Sequence, residues 1–353
     1  MKKSLLALAV LGAFTGIASA QTSVTIYGVV DAGLTREDNG VQTVNRLDSG
    51  NQSGSRLGFK GNEDLGSGLS AQFLLENGFS VDTGALGNGG LLFGRQAYVG
   101  LTGAFGQVRL GRQKTVMYDA MVAIDPFGIA SKGGMDKLFG SNVDENANTA
   151  GIQRGVGRSN NTIAYFTPAI FPGFVGEVTY TLGEQTGNNS GARQYGVSLN
   201  YAAGPLFLTA DYLNVNDTAG NNNAKSTLLG GTYDFGVAKA HAALGFDKGA
   251  VNVTGIVTPA NPSSVDQRNY LLGATIPFGA SAVQLDYIRK NDRTGQNDGA
   301  KQYALGYTYA LSKRTNFYSS YTALRQYNFN YVGGLALTNQ TDRIFNVGVR
   351  HTF

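Results

Sequence analysis

The chain has 353 residues with no Cys, no Trp, 50 Gly, 18 Tyr and 19 Phe, and only 15% of it is charged. That balance excludes a disulfide-stapled scaffold and points away from a helical enzyme, toward many strands joined by turns. The formal charge of +4 falls to +2 without Lys2 and Lys3, and with no Lys/Arg run or basic helix it excludes a nucleic-acid partner.

Residues 1–20 read as a secretory signal. Lys2 and Lys3 form a basic start, residues 5–17 an apolar run, and Ala18-Ser19-Ala20 a small-residue cleavage site, leaving a mature domain over 21–353. The apolar run is too short for a spanning helix, and no later segment reaches the length one needs.

Period-two alternation then recurs to the end of the chain. It predicts sixteen strands, at 23–34, 54–63, 68–79, 91–102, 105–113, 160–168, 173–183, 192–203, 205–214, 225–235, 237–247, 267–277, 280–290, 300–310, 314–325 and 341–353. In 194–201, for example, Tyr195, Val197, Leu199 and Tyr201 alternate with Gln194, Gly196, Ser198 and Asn200, so one face is apolar and the other wet. Short connections such as Gly204 and Gly236 alternate with long ones rich in Asn, Gly, Asp and Ser, such as 215–224 and 248–266. This is the rhythm of an antiparallel up-and-down sheet.

An open sheet of that size leaves edges exposed, whereas a closed one encloses a water-filled bore. In hydrocarbon every backbone N–H and C=O needs a partner, so only helices and closed barrels span. Strands of about ten residues, apolar outward and polar inward, even in number and with short turns at one rim, fit a transmembrane β-barrel of the outer-membrane type. Inward Glu177, Ser198, Asn200, Asp211, Gln284 and Asp286 are then expected to be wetted by the lumen.

The longest connection, 114–157, mixes apolar Met117, Met121, Ile124, Phe127 and Phe139 with acidic Asp119, Asp125, Asp136, Asp144 and Glu145; Arg154 and Arg158 stand at its exit. Irregular segments of this length are uncommon unless they have a job. This one, the third extracellular loop, is expected to fold into the barrel and narrow it.

The last strand carries Phe345, Val347, Val349, His351 and Phe353 on one face, with Asn346 and Arg350 on the other. Together with Val24-Thr25-Ile26-Tyr27-Gly28, Gly54-Ser55-Arg56-Leu57-Gly58-Phe59-Lys60-Gly61, Glu63-Asp64-Leu65-Gly66, Phe93-Gly94-Arg95-Gln96-Ala97-Tyr98-Val99-Gly100-Leu101 and Leu110-Gly111-Arg112-Gln113, this close resembles the Gram-negative general porins, in particular their β-proteobacterial branch. The resemblance covers essentially the whole mature chain. It implies a homotrimer of 16-stranded barrels in outer-membrane lipid, each with its own pore for small hydrophilic solutes and anions. It also implies that the terminal Phe353 is read by the barrel assembly machinery.

The same resemblance implies a constriction lined by Arg56, Arg95 and Arg158, facing acids of the loop in Tyr118-Asp119-Ala120 and Asp125-Pro126-Phe127-Gly128. The second motif lacks the family's usual Glu between Pro and Phe, so Asp125 has the weaker match. Strand parity agrees for Arg56 and Lys60, which oppose outward Leu57 and Phe59, and it sets Tyr98 outward with Arg95 inward. Lys60, Arg112 and Lys114 are secondary lining candidates; Arg112 has outward parity and reaches the lumen only across a bulge.

Plainer readings stand beside these. Each inward Arg also suits neutralisation of a wall carboxylate such as Glu76, and outward Tyr and Phe suit a lipid girdle. His241 and His351 are far apart, and no nucleophile–His–acid set, metal-ligand spacing or nucleotide loop occurs, so the expectation is a channel without catalysis or cofactor. Two transport readings remain: a general diffusion pore, weakly anion-selective, and a solute-selective channel with an arginine site for phosphate or organic acids.

Overall fold

The protein is described here by a computed structural model covering residues 23–129, 131–140, 157–169, 171–249, 265–295, 299–326 and 340–353. The expected signal segment 1–20, and Asp144, Glu145 and Arg154, lie outside the described residues. Seventeen strand segments are described: β1 Ser23–Asp38, β2 Thr43–Ser49, β3 Arg56–Gly66, β4 Leu69–Gly78, β5 Gln96–Gly103, β6 Gly106–Lys114, β7 Arg158–Phe166, β8 Phe174–Thr181 and β9 Gln194–Ala203. They continue with β10 Leu206–Asn216, β11 Asn223–Asp234, β12 Lys239–Lys248, β13 Asp266–Phe278, β14 Ser281–Asp292, β15 Ala300–Ala310, β16 Thr315–Gln326 and β17 Thr341–Thr352.

These segments make sixteen staves, because β2 and β3 share one. Residues 32–38 of β1 pair with β2 and residues 23–29 with β3, so the return strand is interrupted at 50–55. The stretch between the first two predicted strands therefore contains strand where only loop was expected. Every neighbouring pair is antiparallel, and β1 also pairs with β17, which closes the ring. At the seam Gly28 N–H donates to Phe353 O at 3.1 Å and Phe353 N–H to Gly28 O at 3.2 Å.

Burial along the wall is inverted relative to a water-soluble domain. On β15, Tyr303 and Leu305 are 56% and 51% exposed while Gln302 and Ala304 are 0% and 5% exposed. An apolar outer face with a polar inner one is stable only where the surroundings are hydrocarbon. The aromatic rings gather toward two levels, shown by Phe174 and Tyr180 on β8 and by Tyr195 and Tyr201 on β9. Six residues separate the members of each pair, about 20 Å along a strand at ~3.3 Å per residue.

The connection after β6 supplies the one longer helix among the described residues, α1 (Val116–Ile124). Thr115 starts it, its hydroxyl accepting from Tyr118 N–H at 3.2 Å. Nine residues are too few for a stable isolated helix, so packing must hold it. Val116, Met117, Ala120, Met121 and Ile124 are all nearly inaccessible, in one cluster with Leu213, Leu228, Leu271 and Ile288 on the inner faces of β10, β11, β13 and β14. Each fully buried side chain of this kind contributes about 1.5–3 kcal/mol.

The inner wall is notched to receive the segment. Gly196, Gly230, Gly245 and Gly273 face Val116, Ile124, Phe139 and Pro126, so closely that an added Cβ would lie within 3.0 Å of the seated side chain. Polar contacts complete the fit: His241 Nδ1–H donates to Ile124 O at 2.9 Å, Gln302 Nε2 to Gly133 O at 2.7 Å and Gly140 N–H to Asp247 Oδ2 at 3.2 Å. Lys132 reaches Asp48 on β2 at 3.8 Å. The segment thus runs along the inner face from β9 to β15 and is tied at its far end to the stave that β2 extends. Glu177, Ser198, Asp211 and Asp286 face inward as expected, yet all four are below 9% exposed rather than wetted.

Leu305→Arg places a charge on the outer face between the girdles and is expected to cost about 2–4 kcal/mol. The same change at inward Gln284 should cost far less. Equilibrium unfolding from phospholipid vesicles measures both.

Candidate functional site

Cationic side chains crowd one sector of the inner wall. Arg56 opens β3, Arg95 lies just before β5, Arg112 and Lys114 end β6, and Arg158 opens β7. Glu76, on the inner face of β4 and 5% exposed, is the anchor for two of them. Arg95 Nε donates to Glu76 Oε1 at 2.7 Å, Arg56 Nε lies 3.8 Å from Oε2, and the Tyr27 hydroxyl donates to Oε2 at 2.7 Å. Arg56 is also fixed by Nη1 donation to Ser53 Oγ at 3.1 Å and Gly54 O at 3.0 Å.

The second half of the cluster is built on Tyr118 of α1. The Arg158 guanidinium sits 4.7 Å from the ring centroid and its Nη2 donates to the phenol oxygen at 3.1 Å. Lys114 Nζ lies 5.1 Å from the same ring and forms an ion pair with Asp119 Oδ1 at 2.9 Å. Burial pushes the Tyr118 phenol up, but the Arg158, Arg95 and Lys114 cations outweigh it and hold its pKa below the usual phenol range. The Asp119 side chain is 44% exposed, so one acid of the loop faces both the cluster and water.

Arg112 stands on the inner side despite its outward parity. The β6–β7 register shifts between Gly111 and Gln113, and Gly111 has φ +136°, a conformation open to glycine. One extra residue turns Arg112 over, so that Nε donates to Gly94 O at 2.8 Å and Nη1 to Asn160 Oδ1 at 2.6 Å. Tyr98 departs from expectation in the opposite sense. Val99 and Leu101 hold the outer face, 57% and 45% exposed, and Tyr98 turns inward to stack 5.0 Å from the Arg109 guanidinium. Arg95 keeps its inward position because it precedes the regular strand and follows no count from Tyr98.

Asp125 lies apart from the cations. Its Oδ1 accepts from Phe127 N–H at 2.9 Å and its Oδ2 from Met135 N–H at 2.7 Å, and it is 6% exposed. Both oxygens are spent on folding the loop. Sequence reasoning gave no role in the site to Tyr27 or Arg109 and set Tyr98 on the outer face. Tyr118 was visible only as part of a motif, and Glu76 only as a neutralising partner. Lys60 stays near the group, its Nζ 5.4 Å from the Tyr27 ring. Glu177, Asp211 and Asp286 face inward on β8, β10 and β14 and are nearly covered, Glu177 on the strand next to the one that Arg158 opens.

A closed sixteen-stave barrel with an apolar exterior, a charged interior and an internal loop is an outer-membrane channel rather than an enzyme. The model of the Gram-negative porin family matches residues 7–328, and the chain belongs to that family. It is 34% identical over 379 residues to outer membrane porin protein 32 of Delftia acidovorans, with 100% of both chains covered. With an outer membrane porin protein of Bordetella pertussis it shares 32% identity over 408 residues, again across 100% of both. The anion-selective porin from Comamonas acidovorans superimposes with a TM-score of 0.80 at 30% identity, covering 94% of this chain and 100% of that one. The chain is therefore a porin of the Gram-negative outer membrane.

The surroundings of Asp125 set a pH dependence. Burial raises its pKa from 3.8 to about 7, against the two N–H donors that favour the ion. A carboxyl raised in the folded state is most compatible with folding while neutral, so its contribution is full below about pH 4 and is lost as the pH rises toward about 7. Thermal unfolding in detergent across that range should show wild type losing stability relative to Asp125→Asn; parallel curves would rule this out.

Proposed function

We propose that the barrel is a general diffusion pore, weakly anion-selective, in which Arg56, Arg95 and Arg158 line the narrowest passage opposite Asp119. The observation that carries the reading is the charge balance of the cluster. Arg56 and Arg95, which stay protonated at any physiological pH, share one buried wall carboxylate, Glu76, while Arg158 is held by the Tyr118 phenol and ring. Two like charges about 4 Å apart repel by about 4 kcal/mol at an effective dielectric of ~20. A surplus of this kind is relieved by anions in transit, and the half-exposed Asp119 of the loop is the acid that faces it. Each ~1.4 kcal/mol of barrier difference between ions is worth about tenfold in permeation.

The contacts of Asp125 support a role in loop folding rather than in lining the passage, while Arg112 and Lys114 extend the basic side and Lys60 continues it along β3. A homotrimer is supported by the gap in the tyrosine girdle. Tyr27 and Tyr98 both point inward, so β1 to β6 present no outward Tyr, and that sector suits a neighbouring subunit better than a lipid interface. Residues 1–20 act as the cleaved export signal of a 21–353 domain, and Phe353 as the mark read by the assembly machinery. A solute-selective channel is the second reading. The way Arg56, Arg95 and Tyr27 hold the Glu76 carboxylate is the chemistry that a phosphate or organic acid would meet beside Arg158.

Replacing Arg56, Arg95 and Arg158 together by Ser should move the reversal potential in a salt gradient toward cation preference; an unchanged potential removes them from the filter. Deleting residues 121–140 should raise single-channel conductance. Conductance that saturates with organic-acid concentration would favour the second reading.

A further inference from the structure

The lipid-facing side of β10 to β13 is hollowed. Register places Leu208, Gly231, Ala242 and Leu272 in one row across the four strands, so two large side chains flank a floor of a hydrogen and a methyl. Ala240 continues the floor toward the short turns, beside Tyr233 in the register. At the other end the row Leu229, Leu244 and Tyr270 stops it. With its extension past Leu208 to Leu199 and Tyr201 of β9 and Phe174 of β8, the hollow has a volume of about 1100 Å³, and no Asp, Glu, Lys or Arg lines it. His241, at its edge, turns its ring to the opposite face of the wall, where it bonds Ile124 O and Thr275 Oγ1.

Position decides what fills it. The hollow runs four residues along the strands, from the Tyr233 row to the Tyr270 row, or ~13 Å at ~3.3 Å per residue. That is close to one leaflet's share of a hydrocarbon core ~30 Å thick. It opens at the short-turn rim, which in such barrels faces the periplasm. Water gains no partners in an apolar hollow. A chain lying in a trough touches wall on its sides as well as below, and these small attractions accumulate where a flat wall would offer a single face.

We propose that this hollow is a binding site for one acyl chain of a phospholipid from the periplasmic leaflet. The head of that lipid lies at the rim, where the Tyr233 and Phe235 rings stand 4.6 Å apart. Amphipathic aromatic rings at this level suit a headgroup boundary. Conduction through the lumen does not require such a site, so it is a property of the wall beyond the channel itself.

Native mass spectrometry of the wild-type protein, extracted in non-ionic detergent, should find about one phospholipid retained per chain. Filling the floor with Ala240→Leu and Ala242→Leu together should reduce retention about tenfold, the factor given by ~1.4 kcal/mol of lost contact. Ala323→Leu, on the outer face of β16 beside Tyr303, should leave retention unchanged. Unaltered single-channel conductance shows that each variant has folded. A wild type that carries no phospholipid, or a double variant that keeps as much as the Ala323→Leu control, overturns the proposal.

The absence of native Trp gives a second readout. After transfer into vesicles of brominated phosphatidylcholine, Leu272→Trp should be quenched more slowly than Leu305→Trp, because the bound lipid must first leave. Equal quenching rates would also overturn the proposal.

Discussion

Hydrocarbon has nothing to offer a peptide group, and that single fact dictates the architecture. Each stave must find both neighbours, so β1 has to meet β17 as well as β2 and β3, and the ring cannot stop short. The exposed leucines and tyrosines, which would be a fault in a protein dissolved in water, are here its contact with solvent. The buried Gln, Asn and Asp on alternate positions follow from the same closure.

Inside, the wall is of two kinds. From β3 to β7 it is basic and held open by long cationic side chains anchored on Glu76 and Tyr118. From β9 to β15 it is largely covered by the loop, and the residues beneath are nearly dry. Acids that look lumenal by alternation, such as Asp211 and Asp286, are therefore covered. The asymmetry leaves the cations of β3 to β7 and the half-exposed Asp119 facing the passage while the wall acids are shut away, which a uniformly wet lumen would not do.

Most of the barrel was legible because lipid imposes a strict period of two. Where that pressure lapses, so does the signal. β2 is polar on both faces and mostly exposed, so Thr43–Ser49 has no apolar stripe to betray it. Alternation could bring Arg112 inward only on condition of a bulge, which Gly111 supplies, and Tyr98 was misplaced by counting through the break before β5. The dry inner patch leaves a trace that alternation alone discards: Leu228-Leu229 and Leu271-Leu272 are apolar on both faces, with one Leu of each pair inward against the loop. The motif match already set Asp125 below Asp119, but only the fold gives the reason, that Asp119 meets a cation and Asp125 its own backbone.

The glycine notches give the wall control over the loop. Gly196, Gly230, Gly245 and Gly273 carry no charge and belong to strands away from the arginines, yet they set how deeply the loop can sit. The width of the passage and the sign of the charge around it therefore depend on separate sets of positions. A lineage of such pores can be widened or tightened, one methyl at a time, while its preference among ions is left alone.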